Sequence, residues 1–503
     1  MSDKTSSAAD RESGGRANRG ARPIERVRGT HDLLPDDRAV IESLRGSLVA
    51  NARHHGYREV ETPVVEATEL FLRKSGGERV AQLYAFKHRG RDLALRPEFT
   101  ASVVRLYVDR LQAEPLPVRL AYSGPVFRYE KPQAGRSRQF TEFGCELIGA
   151  AGPLADTEII NLALDGLRRA GVEKMHLVLG HIGVVVGYLS ALQIDQRAQD
   201  WLTWSMERLR KGDDSAHELP PHLARYERVE EDAALVDDGL NGLSEQALVS
   251  VLRQAGISFD GGIRDPEDIA RGLMRKRRRH HDVAVLREAA EFVTALTRLS
   301  GPPAEVLEPL RELVRGHGLS AEPLAELEQI ISLLEANGFS RDDITIDLGM
   351  GRGLHYYTGM LFEIYGADGH GPQLCGGGRY DDLAQVLGAR NAVPACGFSY
   401  GLERVLTSAG GVNTRSREPV VVVLPGDDPG AGMRLADAFR EAGWIAKLDL
   451  RGRNIAATRR AAERQGASVL ARAIDGRIEM TTLADGSTQI ADAVPAPTEE
   501  GAR

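Results

Sequence analysis

VRLAYSGPVFRYEKPQAGRSRQFTEFGCELIG, residues Val118–Gly149, reads as two strands, Val118–Glu130 and Ser137–Gly149, joined by the polar loop Lys131–Arg136. Two long strands with charges on one face of an antiparallel hairpin point to a polar substrate lying on the sheet. Arg128, Arg136 and Arg138 sit on this hairpin with Glu130 and Phe140. Arginine offers bidentate donors to phosphate, and an aromatic ring offers a purine a stacking face. A solvated charged hairpin with one core Phe is the alternative these residues leave open.

Upstream, Asp36–His55 places Ile41, Leu44, Leu48 and Ala52 at helical spacing. YREVETPVVE (Tyr57–Glu66) alternates like a strand, and Leu93–Leu111 reads as strand, turn at Pro97, then a helix capped by Thr100. Downstream come a helix over Asp156–Ala170 and a strand over Met175–His181. Helical patterns fill Gly183–Gly338, with nothing that alternates like a sheet, and strands return between Asp342 and Thr407. A sheet whose strands flank a helical insert is an α+β core. From Pro419 the style changes: PVVVVLPG is an unbroken apolar run, as in a parallel strand buried on both faces, and strand–helix alternation follows. The expected division is a disordered leader 1–23, a core from 24–196 and 339–410, a helical insertion 197–338, a small α/β domain 419–492 and a tail 493–503.

A chain of 503 residues accommodates about three domains. With 42% hydrophobic and 27% charged residues it is globular in composition. Lys+Arg 64 against Asp+Glu 72 gives a net charge of -8, which makes the chain a poor candidate for indiscriminate nucleic-acid binding; any polyanion must meet a local patch. One such patch is the basic run RGLMRKRRRHH, Arg271–His281, either a tRNA contact or a solvated helix face. Cys145, Cys375 and Cys396 lie far apart without a CxxC pair, so neither a disulfide framework nor a zinc site is expected. No apolar run is long enough to span a bilayer, and the expected compartment is the cytoplasm.

Two further constellations stand out. RGLHYYTG places Arg352 beside Tyr356 and Tyr357, which are otherwise half-buried core residues with satisfied hydroxyls. CGGGRYDD and ACGFSYGLERV put Gly376, Gly377, Gly378 and Gly397 where backbone can approach a flat ligand, with Arg404 on the helix that follows. Neither is a Walker loop or a dinucleotide fingerprint.

Taken in order, RGTHDLLPDD, TPVVE, LALRPEFTASVVRLY, GPVFRYEKPQAGRSRQFTEFGCELIG, RGLHYYTGMLFEIYG, GGGRYDDL and CGFSYGLERV resemble the motifs of the histidyl-tRNA synthetase family, class II aminoacyl-tRNA synthetases. The resemblance covers Ile24–Gln196 and Asp347–Ser408. It implies a six- or seven-stranded antiparallel sheet flanked by helices, a homodimer built partly on the first motif, and an anticodon-binding C-terminal domain. It implies that L-histidine meets Glu98, Thr100, Arg128, Glu142, Glu146, Arg352, Tyr356, Tyr357 and Tyr380, with Gly378 lining the pocket. ATP, with its Mg2+, would meet Arg128, Glu130, Arg136, Arg138, Phe140 and Arg404. Arg128, Arg352 and Arg404 would be the catalytic cations, and no protein metal motif is expected.

The family has a second branch, the regulatory subunit of short-form ATP phosphoribosyltransferase, which senses histidine beside a catalytic subunit and charges no tRNA. Glu142 stands where synthetases typically carry Gln, His355 where they typically carry Asp, and LVLGHIG and IDLGMGRG lean towards that branch. The hairpin arginines and the C-terminal domain favour histidine–tRNA ligase, the reading adopted, with tRNA(His) as partner; the regulatory subunit is the alternative.

Overall fold

The computed structural model describes residues 24–73, 82–129, 137–192, 194, 196–210, 285–350, 356–366, 371–410, 419–452 and 454–497. Glu130, Arg136, Arg352, His355, the leader 1–23 and the basic run Arg271–His281 lie outside them. The chain divides into two compact units, Met1–Val412 and Asn413–Arg503.

The strands of the first unit are β1 (Arg58–Glu59), β2 (Val65–Ala67), β3 (Tyr84–His88), β4 (Arg91–Leu95), β5 (Val118–Phe127), β6 (Gln139–Ile148), β7 (Met175–His181), β8 (Ser300–Gly301), β9 (Ile344–Asp347), β10 (Met360–Gly366), β11 (Gln373–Arg379) and β12 (Ala395–Gly401). They form a nine-stranded sheet in the order β1-β5-β6-β12-β11-β10-β7-β9-β8 and a three-stranded sheet β2-β4-β3. The fold is α+β, as expected, but the main sheet is wider than six or seven strands. It is antiparallel except where β1 meets β5 and β7 meets β9. The added strands are short edge pieces: the strand expected over Tyr57–Glu66 is split into β1 here and the start of β2 in the smaller sheet, and β8 lies inside the region expected to be helical.

One face of the sheet is covered by helices. Pro153–Arg169 buries Ile159, Ile160, Ala163, Leu164 and Leu167. Glu322–Ala336 buries Leu327, Ile330, Ile331 and Leu334 beside it. Both rows repeat at three- and four-residue spacing, so one stripe of each helix is apolar and can leave water only by packing here. Truncating one such leucine to alanine costs about 2–5 kcal/mol. The opposite face carries the cavity.

The second unit has a five-stranded sheet in which β13 (Val420–Leu424) lies between β14 (Ile445–Leu448) and β15 (Val469–Ile474), parallel to both, with β16 (Arg477–Thr482) and β17 (Thr488–Ala491) beyond β15. Val421 and Val423 enter one apolar layer with Leu435 and Phe439, while Val422 and Leu424 enter another with Ala462 and Leu470. Burial on both faces is why the run PVVVVL has no polar alternation. Val494 packs against the first layer and the Trp444 indole N–H donates to the Pro495 carbonyl (2.8 Å), so the start of the expected tail belongs to the folded unit.

Candidate functional site

Strand β6 sets the axis of the site. Its side chains alternate between faces, so Phe140, Glu142, Gly144 and Glu146 share the cavity side over roughly 20 Å of extended chain. Glu142, Gly144 and Glu146 pair with Gly401, Ser399 and Gly397 of β12, and Ser399 and Gly397 pair in turn with Gly376 and Gly378 of β11. Glycines in this checkerboard leave a floor without side chains. A Cβ on Gly397 would fall 1.6 Å from Glu146 Oε2, and one on Gly378 would fall 2.7 Å from Tyr357 Cε1. The cavity above, about 810 Å³ with its open mouth, is lined by Glu98, Thr100, Arg128, Phe140, Glu142, Tyr356, Tyr357, Tyr380 and Arg404 among others.

Glu146 is fully buried. Its Oε1 accepts from Thr100 Oγ1 (2.8 Å) and Tyr122 OH (3.0 Å), and its Oε2 accepts from Tyr380 OH. Burial raises its pKa to about 8 even against these hydrogen bonds, since water solvates the carboxylate better than the pocket does. Thr100 was expected to cap the helix Thr100–Leu106; instead Glu98 does that work, accepting from the Ala101 N–H (3.1 Å) and freeing the threonine hydroxyl for Glu146.

Tyr122 was not singled out in the sequence. It stacks on Phe99 (4.5 Å between centroids), and Phe99 lies under the Arg96 guanidinium at 3.8 Å. Arg96 is buried and donates to the carbonyls of Thr62 (2.7 Å) and Pro125 (2.9 Å). The RPEF tetrapeptide thus builds a column, Arg96–Phe99–Tyr122, that ends on Glu146. Arg96 and Phe99 were visible inside that tetrapeptide; Tyr122 had no signal beyond an aromatic in a strand.

Along β6 from Glu146 the chemistry changes sign. Arg128 donates through Nε to the Pro97 carbonyl (2.8 Å), sits 5.1 Å over the Phe140 ring and lies 3.9 Å from Glu142 Oε2. That Glu142 oxygen is buried and has no hydrogen-bond partner among the described residues. Phe140 also lies 3.7 Å from the position of a Cβ on Gly401, with Arg404 at 4.0 Å from the same point. Glu403, also unforeseen, accepts the Thr141 N–H (2.8 Å) and so ties the strand beside Phe140 to the helix Leu402–Ser408 that carries Arg404. Arg138 is held elsewhere: it lies 4.1 Å over Tyr129, donates to the Arg28 carbonyl (3.1 Å) and is not among the cavity-lining residues. Among the described residues no group of His, Cys, Asp and Glu is placed to hold a metal ion.

The antiparallel sheet thus presents a glycine floor with acids at one end and Arg128 over Phe140 at the other. Solved structures share this fold: apo histidyl-tRNA synthetase from S. aureus (TM-score 0.60, 24% identity, 93% of this chain and 97% of that one) and a Bacillus halodurans C protein described as an ATP phosphoribosyltransferase regulatory subunit/histidyl-tRNA synthetase (0.60, 24%, 87% and 96%). The family model described as histidyl-tRNA synthetase matches residues 29–217 and 267–405, and the chain belongs to that family. Curated relatives are histidine–tRNA ligases: that of Methanocaldococcus jannaschii is 33% identical over 435 residues (86% of this chain, 87% of that protein), that of Archaeoglobus fulgidus 34% over 435 (86% and 87%), and that of Methanosphaerula palustris 33% over 470 (92% and 95%). The chain is accordingly an enzyme of the ligase class.

Proposed function

We propose that the chain is a histidine–tRNA ligase that activates L-histidine with ATP and transfers the histidyl group to tRNA(His). The observation that carries this reading is the order of groups along β6: Glu146 with its hydroxyls, then Glu142 beside Arg128, then Phe140 and Arg404. Histidine fits that order. Its imidazole would meet Glu146 and Tyr357, with Thr100, Tyr356 and Tyr380 shaping the pocket. A carboxyl poised near pH 8 and a ring with an ordinary pKa near 6.5 can share one proton, so either can donate. The α-ammonium would lie against Glu98 and Glu142, giving a hydrogen-bond donor to the Glu142 oxygen that lies 3.9 Å from Arg128 and accepts none among the described residues.

The histidine carboxylate would then point along the strand towards Arg128. ATP would lie with its adenine on Phe140 and its phosphates between Arg128 and Arg404, Mg2+ arriving bound to phosphate oxygens. A carboxylate oxygen attacks the α-phosphorus, the bond to the β-phosphate breaks, and pyrophosphate leaves as histidyl-adenylate forms. Charge that grows on the α-phosphate oxygens is met by Arg128 and, from the resemblance, by Arg352. The terminal ribose hydroxyl of the tRNA attacks the acyl carbon next, releasing AMP and a proton. We assign 24–196 and 339–410 to this chemistry and 419–492 to anticodon binding; of the expected insertion 197–338, β8 and the helix Glu322–Ala336 complete the core sheet and its cover. We also assign a cytoplasmic homodimer, favoured by the exposed apolar side chains of Ile24, Val27 and Leu34 before the first helix. Among the described residues no helix is long and apolar enough to cross a membrane.

Histidine-dependent exchange of pyrophosphate into ATP, followed by charging of a tRNA(His) transcript, tests the proposal. Both are expected. Absence of exchange, with activation of a short-form ATP phosphoribosyltransferase catalytic subunit, would overturn it in favour of the regulatory branch.

A further inference from the structure

The cavity floor continues sideways beyond β11. Glu363 of β10 stands opposite Gly376, which lines the cavity, and Val178 of β7 stands opposite Glu363. Asp347 at the end of β9 is on the same face, since β9 is in register with β7 through Val178 and Thr345. These carboxylates are buried on strands separated by β7, an arrangement that like charges disfavour unless a cation joins them.

The cation comes from the insertion. Arg210 is the last residue of the helix Gln196–Arg210. Its Nε donates to Asp347 Oδ2 at 2.6 Å, and its terminal nitrogens reach Glu363 Oε2 at 3.4 and 3.5 Å. Tyr365 OH completes the set by donating to the same Glu363 oxygen (2.8 Å). The other oxygen of Asp347 accepts the Gly349 N–H (2.9 Å), fixing the corner after β9. A Cβ on Gly349 would fall 3.4 Å from both Arg210 Cβ and Thr297 Cβ, so the corner is packed between the helix Gln196–Arg210 and the helix 285–297. From this corner the chain runs on to Tyr356 and Tyr357 at the histidine end of the cavity.

We propose that Arg210 is a positioning residue that ties the helical insertion to the histidine end of the cavity. Through Asp347 it sets the corner that leads to Tyr356 and Tyr357, and through Glu363 it sets the strand beside the glycine floor. Phe140 stands on β6, Arg128 directly after β5 and Arg404 on the helix after β12, so the phosphate end is not reached by this clamp. The proposal rests on histidine being the ligand of the acidic end.

Calorimetric titration with L-histidine and, separately, with ATP on the full chain tests it. Arg210→Ala is expected to weaken histidine binding about tenfold while ATP affinity stays within about twofold. Asp347→Asn should do the same, and the double variant should be no worse than either, because both break one linkage. Should Arg210→Ala fail to fold, Arg210→Lys keeps the charge and the stem but cannot span both carboxylates with a planar fork, and the same split is expected of it. Unchanged histidine affinity with a lowered melting temperature would overturn the proposal and leave Arg210 a structural staple; equal loss of histidine and ATP binding would overturn it too. No histidine binding by the unsubstituted protein would instead overturn the assignment of the acidic end, and this proposal with it.

Discussion

Arg379 and Arg128 sit on opposite faces of one sheet, each beside a buried carboxylate, and their surroundings differ. On the helix-covered face Arg379 is almost wholly enclosed and reaches Asp156 at 2.7 and 2.9 Å, Asp381 at 2.9 Å and the Ala150 carbonyl at 3.1 Å. Burial by itself would lower its pKa, but Asp156 and Asp381 hold it above the ordinary guanidinium range. In the cavity Arg128 reaches Glu142 only at 3.9 Å, and distance is what separates the two pairs, since one Glu142 oxygen and one terminal nitrogen of Arg379 both lack a well-angled hydrogen bond among the described residues. A closed ion pair holds the fold together, and an open one leaves donors and acceptors to be completed by a ligand.

The largest effects separate the two. Arg128→Ala should lower the rate of histidine-dependent pyrophosphate exchange about 100- to 1,000-fold with little change in thermal stability. Arg379→Ala should destabilise the fold by about 3–5 kcal/mol, because it strands Asp156 in the interior, while the molecules that remain folded still catalyse exchange. Equal losses of stability in the two variants would break the distinction. Melting curves and active-site titration together provide the measurement.

Glu146 is a third case, a buried carboxyl with hydroxyl partners and, among the described residues, no cation paired with it. Its pKa of about 8 in the fold lies above the 4.5 of the unfolded chain, so between those values the native state binds the extra proton. Stability from this group is full below about pH 4.5 and is lost as pH rises through about 8. Without histidine, the wild type should therefore lose a few kcal/mol relative to Glu146→Gln across that interval. A difference between the two proteins that stays flat with pH would show that Glu146 is ionised throughout. Gly397→Ala sharpens the same point sterically: the new methyl must displace the Glu146 carboxyl, at a cost of about 1–3 kcal/mol in stability, and histidine binding should fall by a larger factor than ATP binding. Equal weakening of both ligands would mean that the floor, not the carboxyl, had moved.

How much of this was legible in the sequence follows the distance over which each contact is made. The hairpin of β5 and β6, the helix Pro153–Arg169 and the doubly buried β13 announce themselves by periodicity within one segment. Glu142, Glu146, Arg128, Phe140 and Arg404 were legible because their motifs are local. Tyr122 was not, because its role depends on register: it stands opposite Gly144, whose missing side chain lets the hydroxyl reach Glu146. The neighbours of Arg138 were not legible for the same reason, since nothing in the hairpin says that Arg28 and Gly29 lie under it. Arg210 is the extreme: its carboxylates are 137 and 153 positions away, and only the folded sheet puts them on one face.

The smallest expected effect tests whether the aromatic at the phosphate end is a ligand platform or part of the core. Phe140 is half-buried against the core and lies under Arg128, so either role is consistent with its packing. Phe140→Leu keeps most of the apolar volume but removes the flat face. A base stacked there would lose roughly 1–3 kcal/mol at most, with leucine recovering part by contact, so the KM for ATP should rise about tenfold. The KM for histidine should hold steady, because Glu146 and Tyr357 sit at the other end of the strand. If the ring is merely core, the melting temperature falls and both KM values stay put, and the polarity along β6 would have to be assigned from Arg404 alone.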